Sequence, residues 1–253
     1  LTGASGFLGG AIYDQLKNTK KCICLSRNKI LNNSDYIFCD LNSDNPTFPT
    51  VNSESILVHC ASVIKGPKKE LFQTNVNGTK KLIDWAKKEK INKIIYISSL
   101  DVETSNTNYA NSKKEAEAYI KESKLDYCII RPAVIFGKND TKNIAQLITL
   151  IQKCPLLFIP NKGAFIWQPV SVLDCVDLVI AGMSLNSKKN EVLSLVGPQQ
   201  FTFFELVKLL KQMLKTKLIV INLPNWITSV IHWIGFIVGK KQWVSQFMSS
   251  FQT

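Results

Sequence analysis

The sequence predicts an α/β fold, a doubly wound parallel sheet with a smaller C-terminal lobe. Three observations carry this. Short apolar runs alternate with helix-periodic segments through the first half of the chain, joined by short connections. The chain opens on a glycine turn, LTGASGFLGG, placed between a strand and a helix. Its 253 residues, 45% of them hydrophobic and with charge interspersed, suffice for one large α/β domain plus a lobe and exclude a disordered chain.

Leu1 and Thr2 read as the end of a first strand, and Phe7 and Leu8 begin an apolar helical run through Ile12 and Leu16. Between them Gly3, Gly6 and Gly9 follow a Gly-x-x-Gly-x-x-Gly spacing. Glycine accepts positive φ and lets backbone approach backbone. The free N–H groups and positive dipole end of the new helix then face an anion, so strand, glycine turn and helix together make a pyrophosphate cradle. The chain starts inside a strand without methionine, so this terminus is expected to be cropped by a few residues.

Cys22–Leu25 reads as a buried second strand ending at Ser26-Arg27-Asn28. In dinucleotide sites an acid at this strand end bonds the ribose 2′-hydroxyl, whereas an arginine accommodates a 2′-phosphate. Ser26 stands where the acid would be, and Arg27 follows. All but Arg27 and Arg131 of the 31 basic residues are lysine, so an arginine here suggests planar, bidentate phosphate recognition. The reading favours NADP(H) over NAD(H); the alternative is an ordinary surface arginine. Tyr36–Cys39 reads as a third strand leading to Asp40-Leu41, where Asp40 by itself could equally cap a turn. Ser55–Cys60 is the fourth strand, and its His59 is expected to be a packed strand-end histidine. Leu71–Lys88 has helical periodicity with Leu71, Val76, Leu82, Ile83 and Trp85 facing inward, and Ile94–Ser98 is the fifth strand.

After that strand come Ser98 and Ser99, and then Tyr109 and Lys113, four apart at the start of the helical stretch YANSKKEAEAYIKE. This spacing puts both side chains on one face. Tyrosine at its normal pKa near 10 is a poor acid or base. A neighbouring ammonium is expected to lower that pKa into a useful range. A serine at a strand's carboxyl end can hold the substrate oxygen, because open α/β sheets place their sites there.

With these residues in view the chain resembles the extended short-chain dehydrogenases/reductases, of the NAD-dependent epimerase/dehydratase group. The matching segments are TGASGFLG (2–9), DL (40–41), VHCAS (58–62), NVNGT (75–79), YISS (96–99), YANSK (109–113) and IIRPAVIFG (129–137). The resemblance implies a Rossmann-type sheet and hydride transfer between a nicotinamide and a carbonyl or hydroxyl carbon. It implies Ser99, Tyr109 and Lys113 as the catalytic triad, with Asn75 and Arg131 in support. The dinucleotide would be held by Gly3, Ser5, Gly6, Phe7, Leu8 and Gly9 of the turn, and by Ser26, Arg27, Asp40 and Leu41 at the next strand ends, Asp40 meeting the adenine. Cys60, Ala61, Ser62, Ser98, Tyr109, Lys113, Pro132 and Val134 would complete its site. One departure stands out. Ser99 and Tyr109 are only ten residues apart, and Val102-Glu103-Thr104 replaces the family's usual Val-Tyr-Gly. The loop over the substrate is therefore short, which speaks against a conventional nucleotide-sugar epimerase.

The expected domains are 1–136 for the dinucleotide unit, with 164–183 returning to it, and 137–163 with 184–253 for the lobe that covers the substrate in the extended group. Asn143–Lys153 and Cys175–Met183 read as helices; Gly163–Val172, Asn190–Val196 and Lys217–Leu223 read as strands. Thr202 and Glu205 have the spacing of a capping box before a further helix. FIWQPVSVLD, VGPQQFTFFEL and INLPNWI also resemble bacterial relatives of the accessory NAD(P)H-binding subunit of respiratory complex I. That resemblance keeps open a third role besides oxidoreductase and nucleotide-sugar epimerase, dehydratase or reductase, namely a non-catalytic NADP(H)-holding subunit of a membrane-associated complex. Trp226–Gly239, fourteen residues, is too short for a bilayer. It is expected to form a lid on the lobe, with a peripheral membrane contact through 226–241 as the alternative.

The formal charge of +12 comes from scattered lysines without interleaved aromatics. It reads as a solvated surface that attracts anionic cofactors, and not as a nucleic-acid site. Seven cysteines without a C-x-x-C pair argue against a disulfide framework or a metal site and for a reduced, cytoplasmic setting. The expected partner is a small-molecule or nucleotide-sugar substrate, with a homodimer as the expected assembly.

Overall fold

The computed structural model describes residues 1–27, 34–184 and 189–223. Asn28 and the apolar stretch 226–239 with Lys240 and Lys241 lie outside the described residues. The chain divides into two compact units.

The larger unit holds Leu1–Ala133, Gly137–Asn139 and Val170–Leu195. In chain order it contains α1 (Phe7–Leu16), β1 (Cys24–Ser26), β2 (Tyr36–Phe38), β3 (Ile56–His59), α2 (Lys68–Phe72), α3 (Gly78–Lys88), β4 (Lys93–Ile97), α4 (Asp101–Thr104), α5 (Asn108–Glu122) and β5 (Asp126–Pro132). Later segments return to it as β9 (Val170–Ser171), α7 (Val172–Met183) and β10 (Glu191–Leu195). One parallel ladder runs β10-β5-β4-β3 and another joins β1 to β2. The expected first strand is reduced to Thr2, which bridges Leu25 on one side and His59 on the other, both in parallel. Thr2 thereby joins the ladders into one sheet of order β2-β1-Thr2-β3-β4-β5-β10. The strand order reverses at Thr2, the switch point outside which open α/β sheets bind ligands.

The two faces of this sheet are legible in single strands. Ile94 and Tyr96 of β4 pack with Leu82, Ile83 and Ala86 of α3 and Ala116 and Ile120 of α5. Ile95 and Ile97 pack on the other side with Ile12 and Leu16 of α1 and Val176 and Val179 of α7. A strand covered on both sides reads as an unbroken apolar run, as Ile94–Ile97 does.

The helix expected over 71–88 is interrupted. Between α2 and α3 the residues Gln73–Asn77 form a π-helical turn, a local widening that recurs at functional sites. Gly163–Val172 was expected as one strand. It divides into a 3-10 turn at Asn161–Gly163, a two-residue strand and β9, and α7 starts at Val172 because Ser171 caps it. β10 pairs with β5, Glu191 opposite Cys128, so Glu191–Leu195 belong to the sheet where the smaller lobe was expected.

The smaller unit holds Val134–Phe136, Asp140–Pro169 and the chain from Val196. Its elements are β6 (Ile135–Phe136), α6 (Asn143–Lys153), β7 (Leu156–Pro160), β8 (Ile166–Trp167), β11 (Phe201–Thr202), α8 (Phe203–Leu214) and β12 (Ile219–Leu223). β7, which the sequence reading missed, pairs in parallel with β12, Leu156 opposite Ile219. Ile144, Leu147 and Ile151 of α6 meet Leu206, Val207 and Leu210 of α8 in a separate core. Thr202 and Glu205 form a reciprocal capping box, which sets the first turn of α8.

Candidate functional site

Gly3 takes φ +74°, and a Cβ there would meet the Ala61 nitrogen at 2.7 Å. The glycine turn thus lies directly against the backbone leaving β3. Gly9 is more constrained, since a Cβ would fall 2.2 Å from the Gly3 carbonyl oxygen. Gly6 caps α1 without a side-chain hydrogen bond, and its own N–H returns to Gly3 O at 2.9 Å. The first N–H groups of α1 therefore emerge beside a bare backbone cradle, as an anionic pyrophosphate needs. Phe7 and Leu8 are half-buried and Ser5 is exposed on the turn.

Ser26 at the end of β1 is buried, with its hydroxyl 3.4 Å from Ser5 Oγ, and Arg27 follows it exposed. Ser26 thus stands beside the glycine turn. Asp40 accepts the Asn42 N–H at 3.0 Å, so its carboxylate caps the turn after β2. Leu41 is buried, and a Cβ on Gly78 would come within 3.0 Å of its Cβ, so DL and NVNGT meet by packing.

A buried polar chain ties the switch point together. Thr79 gives its single hydroxyl proton to Asn75 O at 2.7 Å, so its oxygen accepts from His59 Nε2 at 2.9 Å. His59 Nδ1 is then the acceptor for Thr2 Oγ1 at 2.6 Å, and Thr2 Oγ1 accepts the Ala61 N–H at 3.1 Å. This network requires neutral imidazole. Burial, reinforced by the Lys113 charge, pushes His59 down to about 3. His59 is a structural hub on β3.

Asn75, on the π-helical turn and 1% exposed, continues the chain. Its Oδ1 accepts the Val63 N–H at 2.8 Å and the Ser62 hydroxyl at 3.2 Å. Its Nδ2 donates to Val63 O and to Ser112 Oγ, both at 2.9 Å. Ser112 in turn donates to Tyr109 O at 2.7 Å. One amide therefore fixes the loop after β3 relative to the start of α5.

Thr107 caps α5 by accepting the Ala110 N–H, so Tyr109 lies in the first turn. Ser62 and Ser99 are the two hydroxyls that bear on the Tyr109 phenol. Burial pushes its phenol up to about 12, Asp101 adds to the rise, and the two serines oppose it. Asp101 is half-buried on α4; burial pushes its carboxyl up, opposed by a hydrogen bond from Ser99.

Lys113 departs from expectation. Its ammonium donates to Ile97 O at 2.6 Å and lies 4.1 Å above the centre of the Tyr96 ring. Burial pushes it down to about 7, with Cys60 and Glu117 opposing. It is not among the groups that set the Tyr109 value. The expected lowering of Tyr109 by Lys113 is thus corrected: burial raises the phenol, and the ammonium is engaged by a carbonyl and a ring.

Ser98 was expected at the dinucleotide; its hydroxyl instead donates to Glu117, which is almost fully buried on α5. Arg131 forks onto both oxygens of Glu117 and reaches Glu103 on α4. It holds α4 and α5 together across the short interval between Ser99 and Tyr109. Cys60 and Ala61 are half-buried beside Gly3, and burial pushes the Cys60 thiol up to about 12. Pro132 is buried at the end of β5 with its carbonyl accepting the Leu100 N–H at 3.0 Å, whereas Val134 packs in the core of the smaller unit. The sequence reading missed Asp101, whose signal was its place two residues after Ser99, and the hydrogen bond of Ser62 to Asn75.

The family model described as NAD dependent epimerase/dehydratase matches residues 1–195. UDP-glucose 4-epimerase of Vibrio cholerae is 26% identical over 275 residues, covering 95% of this chain and 80% of that protein. Ceramide reductase of Caulobacter vibrioides is 25% identical, covering 62% of this chain and 52% of that protein. Among solved structures, MoeE5 in complex with UDP-glucuronic acid and NAD superposes with a TM-score of 0.76 at 18% identity, covering 88% of this chain and 84% of that one. UDP-glucose 4-epimerase of Thermotoga maritima with UDP-glucose superposes with a TM-score of 0.70 at 20% identity over the same shares. These structural likenesses show the fold. The extent of the family match shows more: the chain belongs to the NAD dependent epimerase/dehydratase family of the short-chain dehydrogenase/reductase superfamily, a family of enzymes.

Proposed function

We propose that this member of the family is an oxidoreductase that exchanges a hydride with a hydroxyl or carbonyl carbon of a nucleotide-linked sugar, with Tyr109 exchanging the proton on oxygen. The observation that carries the reading is that Asn75 ties Ser62 and Val63, which follow the backbone packed on Gly3, to Ser112 and through it to Tyr109 O at the start of α5. The backbone cradle of Gly3, Gly6 and Gly9 fits a dinucleotide pyrophosphate, because added Cβ atoms at Gly3 and Gly9 would collide with backbone. The bound dinucleotide supplies the hydride acceptor or donor. Tyr109, whose phenol is pushed up to about 12, is protonated at neutral pH. It can therefore donate a proton to a carbonyl oxygen, and Ser99 can orient that oxygen. The sugar-nucleotide class is favoured by the epimerase relative that spans 95% of this chain.

NADP(H) is favoured over NAD(H) on two supports. Ser26 leaves the ribose-reading position without an acid, and Arg27 beside it is exposed. Peripheral membrane contact through 226–241 and a homodimer complete the proposal.

The test is thermal shift of the purified protein with NADP(H), NAD(H) and UDP-glucose, followed by nicotinamide absorbance during turnover. Tyr109→Phe is expected to lower turnover at least about 100-fold with dinucleotide binding retained. Unchanged turnover in that variant overturns the acid/base assignment. Tight dinucleotide binding with no hydride exchange on any sugar nucleotide favours the non-catalytic role.

A further inference from the structure

We propose that the outer face of the β7–β12 sheet, in the smaller unit, is a docking surface for an anionic lipid bilayer. The inference goes beyond the contact proposed through 226–241. It lies on other residues, and depends neither on that contact nor on hydride transfer.

β7 and β12 run parallel, with Leu156 opposite Ile219 and Phe158 opposite Ile221. Side chains alternate between the two faces of a sheet, and partners in register share one face. These four residues therefore lie together on one side, and they are 37–58% exposed. The alternate residues Leu157, Ile159 and Val220 turn the other way, into the core made with α6 and α8. Parallel strands are ordinarily covered on both faces. Here α6 and α8 cover one face, while the other shows four large apolar side chains to solvent. A single exposed apolar residue is ordinary, but a contiguous group marks an interaction surface.

The charge around this face names its occupant. The described residues of the smaller unit include seven lysines, two carboxylates and no arginine. Both carboxylates are engaged at helix starts. Asp140 accepts the Ala145 N–H at 3.1 Å in the first turn of α6, and Glu205 completes the capping box of α8. The lysines edge the sheet. The Ile219 N–H donates to Pro155 O at 2.8 Å, which sets the two strand starts side by side. Lys153 stands two residues before Pro155, Lys217 two residues before Ile219, and Lys215 at the C-cap of α8; all three are exposed. An apolar face edged by lysines suits an anionic bilayer. The apolar side chains enter the acyl boundary, and the long lysine stems reach the headgroups.

Protein partners suit this face less well. Lysine is depleted at protein interfaces, whereas arginine, tyrosine and tryptophan are enriched. The rim is lysine throughout, and the face carries neither tyrosine nor tryptophan. A second copy would bring an equally basic surface whose carboxylates are already engaged, so like charges would meet without compensation.

The test is co-sedimentation of the full chain with vesicles of phosphatidylcholine alone and of equal parts phosphatidylcholine and phosphatidylserine. Wild type is expected to bind the anionic vesicles at least about tenfold more tightly than the neutral ones and to be released by high salt. Phe158→Thr combined with Ile219→Thr keeps a strand-compatible side chain. It is expected to weaken anionic binding at least about tenfold, with Tm unchanged. Lys153→Gln combined with Lys217→Gln is expected to weaken it about tenfold. Anionic binding unchanged in both variants overturns the proposal and leaves the contact through 226–241 standing, whereas no binding by wild type overturns both. A fall in Tm for the threonine variant would assign the face to a segment of the same chain. Loss of a wild-type dimer in that variant, seen by light scattering, would assign it to a second copy. Either result overturns the lipid assignment. Vesicle binding needs no substrate, so it is read independently of turnover.

Discussion

The Lys113 ammonium stands 4.1 Å above the centre of the Tyr96 ring, with both side chains at most 1% exposed. A cation over an aromatic face is attracted by the ring quadrupole, and Ile97 O takes one of its protons. Burial nevertheless brings Lys113 down to about 7. Between about pH 7 and the ordinary lysine value the unfolded chain binds a proton that the folded chain has released, so stability from this group rises with pH. Wild type is expected to gain in Tm relative to Lys113→Met as pH is raised from 7 toward 10, and to show no such trend below 6. Paired thermal scans across pH check this.

His59 gives the opposite limb. Its folded value of about 3 lies below the ordinary 6.5, so unfolding takes up a proton as pH falls. Stability is lost from about pH 6.5 downward, and by pH 3 the loss amounts to a few kcal/mol. His59→Gln is expected to be less stable than wild type at pH 8 and to lose less on acidification to pH 4, as urea denaturation would show.

The glycine turn separates two neighbouring positions. A Cβ at Gly9 falls 2.2 Å from Gly3 O, whereas one at Gly10 comes no closer than 3.3 Å to Ala4 O. Gly9→Ala is expected to cost about 3 kcal/mol and to weaken dinucleotide binding at least tenfold. Gly10→Ala is expected to cost under about 1 kcal/mol. Calorimetric titration and chemical denaturation of both variants give the comparison.

Arg27 is exposed and Arg131 is clamped, so their substitutions should differ in kind. Arg27→Ser is expected to weaken NADP(H) about tenfold or more, the loss of a charge-assisted pair, with NAD(H) unchanged and no change in Tm. An equal loss for both nucleotides would remove Arg27 from the 2′-phosphate.

Arg131→Lys cannot fork onto both Glu117 oxygens while also reaching Glu103. With Glu117 side chain 2% exposed, the expected cost is about 2–3 kcal/mol, near the lower end for a broken buried pair. Glu103→Gln, at the exposed end, is expected to cost under about 1 kcal/mol. Denaturant midpoints distinguish the two.

Much of the fold was legible because its signals are local. After Lys93, the IIYI of β4 is apolar at every position, as a strand covered on both faces must be. The Thr202–Glu205 pair announced its own helix start. The misses have physical causes. Leu156–Pro160 alternates exposed and buried residues between a helix end and a turn, too short to distinguish from loop. Residues 71–88 keep one periodicity through the π-helical turn that rotates it. At the site, Tyr109 and Lys113 share a helix, yet which neighbour each meets was not a matter of their spacing.

By itself the sequence determined the doubly wound sheet, the glycine cradle and the group of residues around it, because periodicity and short spacings act within one element. Tertiary structure alone decided what each polar side chain does. Ser98 turns to Glu117, Lys113 to Ile97 O and Tyr96, and Ser62 to Asn75. The reason is that a buried polar group must find a partner, and partners on other strands and helices are supplied by packing and not by neighbours in the chain.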